Sequence, residues 1–466
     1  MEKLRKICVV VFASLSLFFA LVAIRNHFFP SDVAKNIKTA AHWNANLETI
    51  ARKNDNLIFF YVSGNEIISN KIKNLLENHY VFSVLDKEKN PADFAIFNHF
   101  LKSASKSEAP LTCAILTPTL QPIYLSSKID KDQLEKILYA TARKYVSNRH
   151  LLRERALRAT ETLKTFDVRF ATAPLYQTIP CSVSHFAFGN VGDIPISIMT
   201  ENARLHFNIY KTSANLFAQR DAINALKVLK QRYTQEKEKS ARRLIARALA
   251  DIAFAVDTKY LTELKAEADS ITSSKKQEQN ITDCALALSV LSRAHSVFGD
   301  DKYLLTATKI FKTIKSAVFN KRTIPAILQM GTDENDVSVI NSLACAHGMS
   351  MMANALCDFS EATSNNDVLY VAMAIINKLD ADYLHNGIWT LNSSNAPSAK
   401  FARLSILDDS HIPSHVGEAY QAVMRIKKGL NLRTISPAEA YIARIETLFI
   451  PAFSETRASI KLAKFM

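Results

Sequence analysis

Glycine is scarce in this sequence, at 9 of 466 residues, well below the ordinary usage of about 7%. Glycine-rich phosphate-binding loops and the many tight turns of an all-β fold both depend on this residue, so the composition disfavours nucleotide enzymes and β-sandwiches. The sequence also contains no complete catalytic motif. Its 48% hydrophobic content supplies enough apolar material for a sizeable core. We therefore expect a mostly helical protein of two or three domains.

Closely paired cysteines are also lacking. No two of the six cysteines form a Cys-x-x-Cys pair, so their spacing indicates neither a dithiol redox centre nor a zinc site. Cys345 and Cys357 are twelve positions apart on one predicted helix, a rise of about 18 Å that no disulfide bridges. We interpret most of these thiols as buried apolar side chains and predict no metal and no cofactor.

A long uncharged run occupies residues 7–24, directly after three cations near the N-terminus. Eighteen helical residues span about 27 Å, close to the ~30 Å hydrocarbon thickness of a bilayer. Ala20 and Ala23 are the nearest small residues, and they cannot fill both the −3 and −1 positions of a signal-peptide cleavage site. The run therefore predicts an uncleaved single-pass membrane anchor over residues 1–24. The positive-inside rule places the remainder of the chain on the extracytoplasmic, periplasmic side.

Positive charge exceeds negative charge, at 58 − 44 = +14, and the excess is concentrated in two helical stretches, residues 143–158 and 204–247. Such surfaces can attract anionic lipid or an acidic polymer. We interpret both stretches as solvated helix faces, the ordinary position for charge runs. No nucleic-acid-binding motif accompanies the charge, so we predict no nucleic-acid partner.

Residues 41–146 alternate between helix and strand patterns. Aromatic and β-branched runs predict strands at residues 57–62 and 80–85, and the segment APLTCAILTPTLQPIYL at 109–125 predicts a hairpin. The resulting order is helix, strand, helix, strand, helix, strand, strand, helix. This order resembles that of the thioredoxin fold, and Pro110 falls where that fold keeps a cis proline.

Several short segments resemble one family, the DsbH-type and spermatogenesis-associated thioredoxin-like proteins, in which a thioredoxin module is fused to an α/α toroid. The segments that carry the resemblance are residues 75–100 (LLENHYVFSVLDKEKNPADFAIFNHF), 109–125, 184–196 and 403–426. The resemblance implies a linker over 25–40, a thioredoxin-like domain over 41–146, a connecting helix over 147–170 and a toroid of about six helical hairpins over 171–466.

The sequence differs from this family in the segment that carries the family's redox-active residues. The family places a Cys-x-x-Cys and nearby histidines after its first strand, whereas residues 63–74 here, SGNEIISNKIKN, contain neither residue type. A thiolate is the nucleophile of disulfide exchange, and serine cannot replace it. We therefore predict a membrane-tethered, non-redox interaction or scaffold protein that binds a protein or peptide beside Pro110. A thiol–disulfide oxidoreductase-related role through Cys113 is a further alternative.

Beyond residue 147 the sequence is typical of helices joined by polar turns. The segments GDDKYLLTATKIF at 299–311 and SNNDVLYVAMAII at 364–376 superpose at an offset of 65 residues, which pairs Ala307 with Ala372. A repeat of this length corresponds to two helical hairpins, and such units must stack to bury their apolar faces. The repeat therefore predicts a helical array, as an α/α toroid requires.

Carboxylates near two predicted inner helices suggest a different function. Toroids of this kind resemble sugar-acting glycosidases and 2-epimerases. A glycosidase uses one carboxyl group as proton donor and a second as base or nucleophile. Asp336 with Asp408 or Asp409 can supply this pair, so the alternative prediction is a carbohydrate-active enzyme that binds a glycan. The same acids can equally cap the helices that follow them, which requires no substrate.

Two further side chains are candidate binding residues of that alternative. Trp389 can stack on a sugar ring. His347 lies about three turns beyond Asp336 on one predicted helix face, although an apolar face favours a hydrogen-bonded core histidine.

Overall fold

The structure is a computed structural model, and it divides the chain into two compact units. The first comprises the described residues up to Leu85 together with Leu101–Thr160, and the second comprises Asp86–Phe100 and the described residues from Glu161 onward. The structure describes residues 41–43, 46–63, 70–105, 109–128, 130–170, 196–213, 216–256, 261–274, 280–320, 323–326, 328, 343–400, 402–403, 405 and 414–440.

The first unit contains a five-stranded mixed sheet in the order β1-β3-β2-β4-β5. Its three strands β1, β3 and β2 run parallel, whereas β4 is antiparallel to β2 and β5 is antiparallel to β4. The central strand has a continuous apolar sequence, LIFFYV, because five of its six residues are buried. The strands are Ala41–His42 (β1), Leu57–Val62 (β2), Tyr80–Leu85 (β3), Cys113–Leu116 (β4) and Pro122–Ser126 (β5).

Five helices accompany these strands along the chain. They are α1 (Asn46–Asn54), α2 (Asn70–His79), α3 (Pro91–Ser105), α4 (Lys131–Ser147) and α5 (Arg149–Phe170).

The structure does not support the predicted chemistry of Pro110 and Cys113. Pro110 is exposed, and no cis peptide bond occurs within the described ranges, so the expected cis proline is not found. Cys113 is 1% exposed, and burial raises the pKa of its thiol to about 12. A thiol with this pKa is protonated at neutral pH and is not a nucleophile.

The second unit is mostly helical, consistent with an α/α toroid. Successive helices form hairpins in which α6 packs on α7, α8 on α9, α10 on α11 and α12 on α13. The bounds are Ile196–Ser213 (α6), Leu216–Gln235 (α7), Lys239–Val256 (α8), Leu261–Ser273 (α9), Ile281–Phe298 (α10), Asp301–Asn320 (α11), Ala346–Thr363 (α12), Asp367–Asp382 (α13) and His415–Leu430 (α14). Two short strands, Leu384–His385 (β6) and Ile388–Trp389 (β7), pair after α13.

The even-numbered helices form an inner layer. Each contacts the next, from α6 through α8, α10 and α12 to α14. Their first residues lie side by side: Ser240 of α8 donates to Asp283 of α10 at 3.1 Å, and the rings of His347 in α12 and His415 in α14 are 5.0 Å apart. Adjacent inner helices therefore run parallel, and their C-terminal ends meet at one end of the unit.

The predicted 65-residue repeat is confirmed. Helices α10 and α12 begin 65 positions apart and each spans 18 residues. Both end in a left-handed residue, Gly299 at φ 66° and Ser364 at φ 51°. The paired residues Ala307 and Ala372 are both fully buried, so the two hairpins use the same packing face.

The close approach of α12 to α10 depends on Gly348, and we expect Gly348→Ala to lower the free energy of unfolding by about 1–3 kcal/mol. A Cβ at this position would overlap the Cγ2 methyl group of Ile281, a β-branched side chain with little rotational freedom. Urea denaturation measures the effect. The matched control is Gly429→Ala, whose Cβ meets the flexible Cδ1 end of Leu369; equal losses in the two variants would contradict this explanation.

Within the described ranges, no helix is long and apolar enough to cross a bilayer. The structure therefore does not support the predicted single-pass anchor, and the periplasmic location inferred from it loses its basis. The apolar run over residues 7–24 itself lies outside the described residues.

Candidate functional site

Each of the five inner helices contributes one charged side chain to a continuous chain of ion pairs, which we call the ionic belt. Its members alternate in sign along the order of the helices. They are Arg204 of α6, Asp251 of α8, Arg293 of α10, Asp358 of α12 and Arg425 of α14.

The belt is closely connected. Arg204 Nε lies 2.6 Å from Asp251 Oδ2, and Arg293 binds Asp251 through Nη1 and Asp358 Oδ1 through Nη2, the latter at 2.9 Å. Arg425 Nη2 reaches the same Asp358 oxygen at 2.7 Å. Each aspartate therefore joins two arginines from different helices.

A second ion pair connects two inner helices that are not neighbours. Arg247 of α8 donates from Nη1 to Glu418 Oε1 of α14 at 3.1 Å, and their side chains are 3% and 0% exposed. Glu418 Oε2 also accepts from Asn354 of α12, whose amide donates to Gln421 Oε1 at 2.7 Å. Polar contacts thus link α8, α12 and α14 through the interior of the unit.

Burial and the charges of neighbouring side chains together determine the pKa of these groups. Burial by itself would raise the pKa of Asp358, but Arg293, Arg425 and Arg247 together hold that pKa well below its usual range. Burial, with a contribution from nearby Arg204, lowers the pKa of Arg247 to about 10. Both groups are therefore charged at neutral pH.

The interpretation of residues 204–247 as a solvated helix face is wrong for its arginines that face the core. The side chains of Arg204, Arg243 and Arg247 are 8%, 2% and 3% exposed. A signal for this was present in the sequence of α8, where Arg243, Arg247 and Asp251 follow at intervals of four and so share one helix face. In α8 that face points into the protein.

A cavity of about 440 Å³ opens beside the ionic belt, within the size range of ligand pockets. Most of its walls come from the C-terminal halves of the inner helices. Asp251, Arg425 and Arg293 remain 13%, 18% and 21% exposed there, and Glu361 at the rim is 67% exposed. The lining residues are Arg204, Phe207, Lys211, Ala250, Asp251, Arg293, Ser296, Val297, Asp358, Glu361, Gln421 and Arg425.

The structure does not describe the acids predicted from the sequence as a catalytic set. Asp336, Asp408 and Asp409 lie outside the described residues. Helix α12 begins at Ala346, so the predicted helix face from Asp336 to His347 does not extend back through residues 343–345, which are not helical. In the described ranges, no three histidine, cysteine, aspartate or glutamate side chains are grouped to hold a metal ion.

The structure brings His347 and Trp389 close to the same neighbour, His415. The rings of half-buried His347 and buried His415 meet edge to face at 73°. His415 Nε2 donates to the Trp389 carbonyl oxygen at 2.9 Å. Trp389 itself is fully buried and donates from Nε1 to Asp380 Oδ1 at 2.8 Å, an arrangement that leaves no open ring face for a sugar.

The buried His415 predicts a pH-dependent stability. Burial lowers its pKa to about 4 from 6.5, although the Trp389 carbonyl opposes this shift. Between these values the unfolded chain binds the proton and the folded protein does not, so the stabilisation is complete above pH 6.5 and is lost as pH falls toward 4. From this group we expect the free energy of unfolding to be about 2 kcal/mol lower at pH 5 than at pH 7.

Urea denaturation at both pH values tests this effect. His415→Gln is expected to remove most of the difference, whereas His150→Gln, at an exposed position of α5, is expected to retain it. An unchanged pH dependence in His415→Gln would show that another group is responsible.

The chain is similar to three solved structures of glycan-acting proteins, at low identity. An inactive variant of an α-1,6-mannanase of Salegentibacter sp., in complex with α-1,6-mannotriose, matches at 9% identity and TM-score 0.44, covering 58% of this chain and 88% of the mannanase. An unsaturated glucuronyl hydrolase from Bacillus sp. GL1 matches at 15% identity and TM-score 0.38, covering 55% and 73%. A polysaccharide lyase matches at 9% identity and TM-score 0.33, covering 57% and 75%.

No protein-family model matches the chain, and neither does any curated protein. The predicted membership in the DsbH-type thioredoxin–toroid family is wrong, since the similar structures are glycan-acting enzymes rather than thioredoxin fusions. The predicted main function, a scaffold that binds peptide beside Pro110, is wrong with it.

Proposed function

We propose that the helical unit is a carbohydrate-active protein of the glycosidase- or epimerase-like kind, built as an α/α toroid of about six hairpins. The observation that supports this function is the cavity beside the ionic belt. It combines three carboxylates, Asp251, Asp358 and Glu361, with guanidinium, ammonium and amide donors. A sugar hydroxyl both donates and accepts hydrogen bonds, so mixed donors and acceptors of this kind suit it.

The charge state of Asp358 limits what it contributes to chemistry. Its pKa is held well below the usual range by Arg293, Arg425 and Arg247, against the effect of burial, so it does not donate a proton at neutral pH. An ionised carboxylate can accept hydrogen bonds from sugar hydroxyls and stabilise an oxocarbenium-like transition state. Glu361 is the carboxylate of the cavity that is most open to solvent, a position from which a carboxylate can act as the general base that activates water.

Asp336, Asp408 and Asp409 form the competing proposal for the proton donor and its partner. They precede α12 and α14 in the sequence, whereas Asp358 and Glu361 lie near the end of α12. The two sets of acids are separate in the sequence, so variants of each test them independently.

A panel of polysaccharides and oligosaccharides, with release of new reducing ends as the readout, tests both proposals. Glu361→Gln is expected to lower turnover about 10²–10⁴-fold if the cavity is the active site. The same loss in Asp336→Asn or in the double variant Asp408→Asn/Asp409→Asn, with Glu361→Gln unaffected, would assign the chemistry to those acids instead. No turnover or epimerisation of any glycan, together with no glycan binding, would overturn the proposed function.

A further inference from the structure

The arginines that line the cavity already have carboxylate partners. Arg204 binds Glu201 Oε1 through Nη1 at 3.0 Å in addition to Asp251. Arg425 binds Glu361 Oε1 through Nη2 at 2.8 Å in addition to Asp358. The third arginine, Arg293, lies between the two aspartates of the belt. A ligand carboxylate that approaches any of these guanidinium groups must therefore displace a carboxylate of the protein.

The summed charge around the cavity also gives little attraction for an anion. The lining contains four cations, three of them arginines and one Lys211, against three carboxylates, so its formal charge is 4 − 3 = +1. Glu201, which pairs with Arg204, reduces this sum to zero. Lys211 is the exposed cation of the lining, where water and salt screen its charge.

The cavity still offers hydrogen-bond donors and acceptors, although its net charge is close to zero. An ionised carboxylate has about four acceptor positions, and the belt arginines occupy only some of those on Asp251 and Glu361. Lys211 and Gln421 supply an ammonium and an amide group at the same cavity. A neutral ligand with several hydroxyl groups can donate to the carboxylates and accept from these groups without breaking an ion pair.

We propose that the cavity selects neutral sugars over uronic acids, and that Glu361 is the residue that determines this specificity; the inference rests on the proposed function. Glu361 neutralises the side of Arg425 that is nearest to solvent. A uronate carboxylate would face Glu361 across that guanidinium and would meet an unfavourable like charge. A neutral sugar with a hydroxymethyl group at the same position meets no such repulsion.

Matched ligands test this specificity on the full chain at pH 7. Methyl α-glucopyranoside, methyl α-mannopyranoside and methyl α-galactopyranoside are each compared with the corresponding methyl uronate by ligand-detected saturation-transfer NMR. At least one neutral sugar is expected to bind, with its uronate counterpart about tenfold weaker or undetected. Glu361→Gln is expected to narrow or reverse this preference, because the uronate then meets a neutral amide beside Arg425 instead of a carboxylate.

Glu154→Gln is the matched control. Glu154 is also an exposed glutamate that binds one arginine, Arg158, but it lies on α5 in the first unit, so its replacement is expected to leave both affinities unchanged. Tighter binding of the uronates by the unmodified protein would overturn the specificity while leaving the proposed carbohydrate function in place. An unchanged preference in Glu361→Gln would overturn the role of that residue, and binding of neither sugar type would overturn the inference together with its basis.

Discussion

Replacement of Asp358 by asparagine is expected to destabilise the protein by about 3–5 kcal/mol, the cost of leaving buried charges without their counter-ion. Asp358 is the aspartate through which Arg293 and Arg425 are connected, and its side chain is 1% exposed. The amide retains the shape but removes the negative charge between two guanidinium groups. Urea denaturation followed by circular dichroism measures the change.

Asp367→Asn provides the control for this substitution. Asp367 lies in the first turn of α13 and is exposed, so the same change is expected to cost less than about 1 kcal/mol. Equal losses in the two variants would show that the belt contributes nothing beyond an ordinary surface aspartate.

The decrease of the free energy of unfolding at acidic pH provides a second measurement of the contribution of Asp358. Its folded-state pKa lies well below that of the unfolded chain, so its stabilisation is present above the unfolded value near 3.9 and decreases as pH falls below it. Asp358→Asn is therefore expected to show a weaker loss of stability on acidification than the unmodified protein, even though it is less stable at pH 7.

Glu418→Gln is expected to cost a similar amount, about 3–5 kcal/mol, because it leaves the Arg247 charge without a carboxylate partner. Arg247 is fully buried, and within the described part of the chain its Nε and Nη2 atoms have no hydrogen-bond partner. Glu418 is its direct ion-pair partner, and the nearby carboxylates of Asp358 and Asp251 also favour its charged form. The free energy of unfolding in urea is again the measurement.

A double-mutant cycle measures the interaction energy between Arg247 and Glu418 apart from the contacts that each side chain makes with its neighbours. Arg247→Met alone leaves the Glu418 carboxylate buried without its cation, whereas the combined variant Arg247→Met/Glu418→Gln contains neither charge. We expect the combined loss to be smaller than the sum of the single losses by about 1–3 kcal/mol. Additive losses would mean that the two side chains do not stabilise each other.

The helical repeat could be predicted from the sequence because its signals are local. The turn at Gly299 and the corresponding turn at Ser364 each lie within a few residues of the helices that they end, and the apolar spacing that pairs Ala307 with Ala372 belongs to single helices. Local patterns of this kind require no knowledge of the tertiary structure.

The ionic belt could not be predicted in the same way. Its successive members are separated by between 42 and 67 positions in the sequence, and a charged residue on a helix is exposed far more often than buried. The local signal was the spacing of Arg243, Arg247 and Asp251 in α8, which places three charged side chains, one of them a belt member, on the same helix face. The family assignment was wrong for a related reason, since short segments and an element order recur among unrelated proteins.

The bond between Arg247 and Glu418 has a consequence for the synthesis of the protein. The two residues are 171 positions apart, and ribosomes add about 5–20 residues per second. Helix α8 therefore leaves the ribosome roughly 10–30 s before Glu418 has been added. During that interval Arg247 lacks this partner, so the buried ion pair can form only after residue 418 has been added.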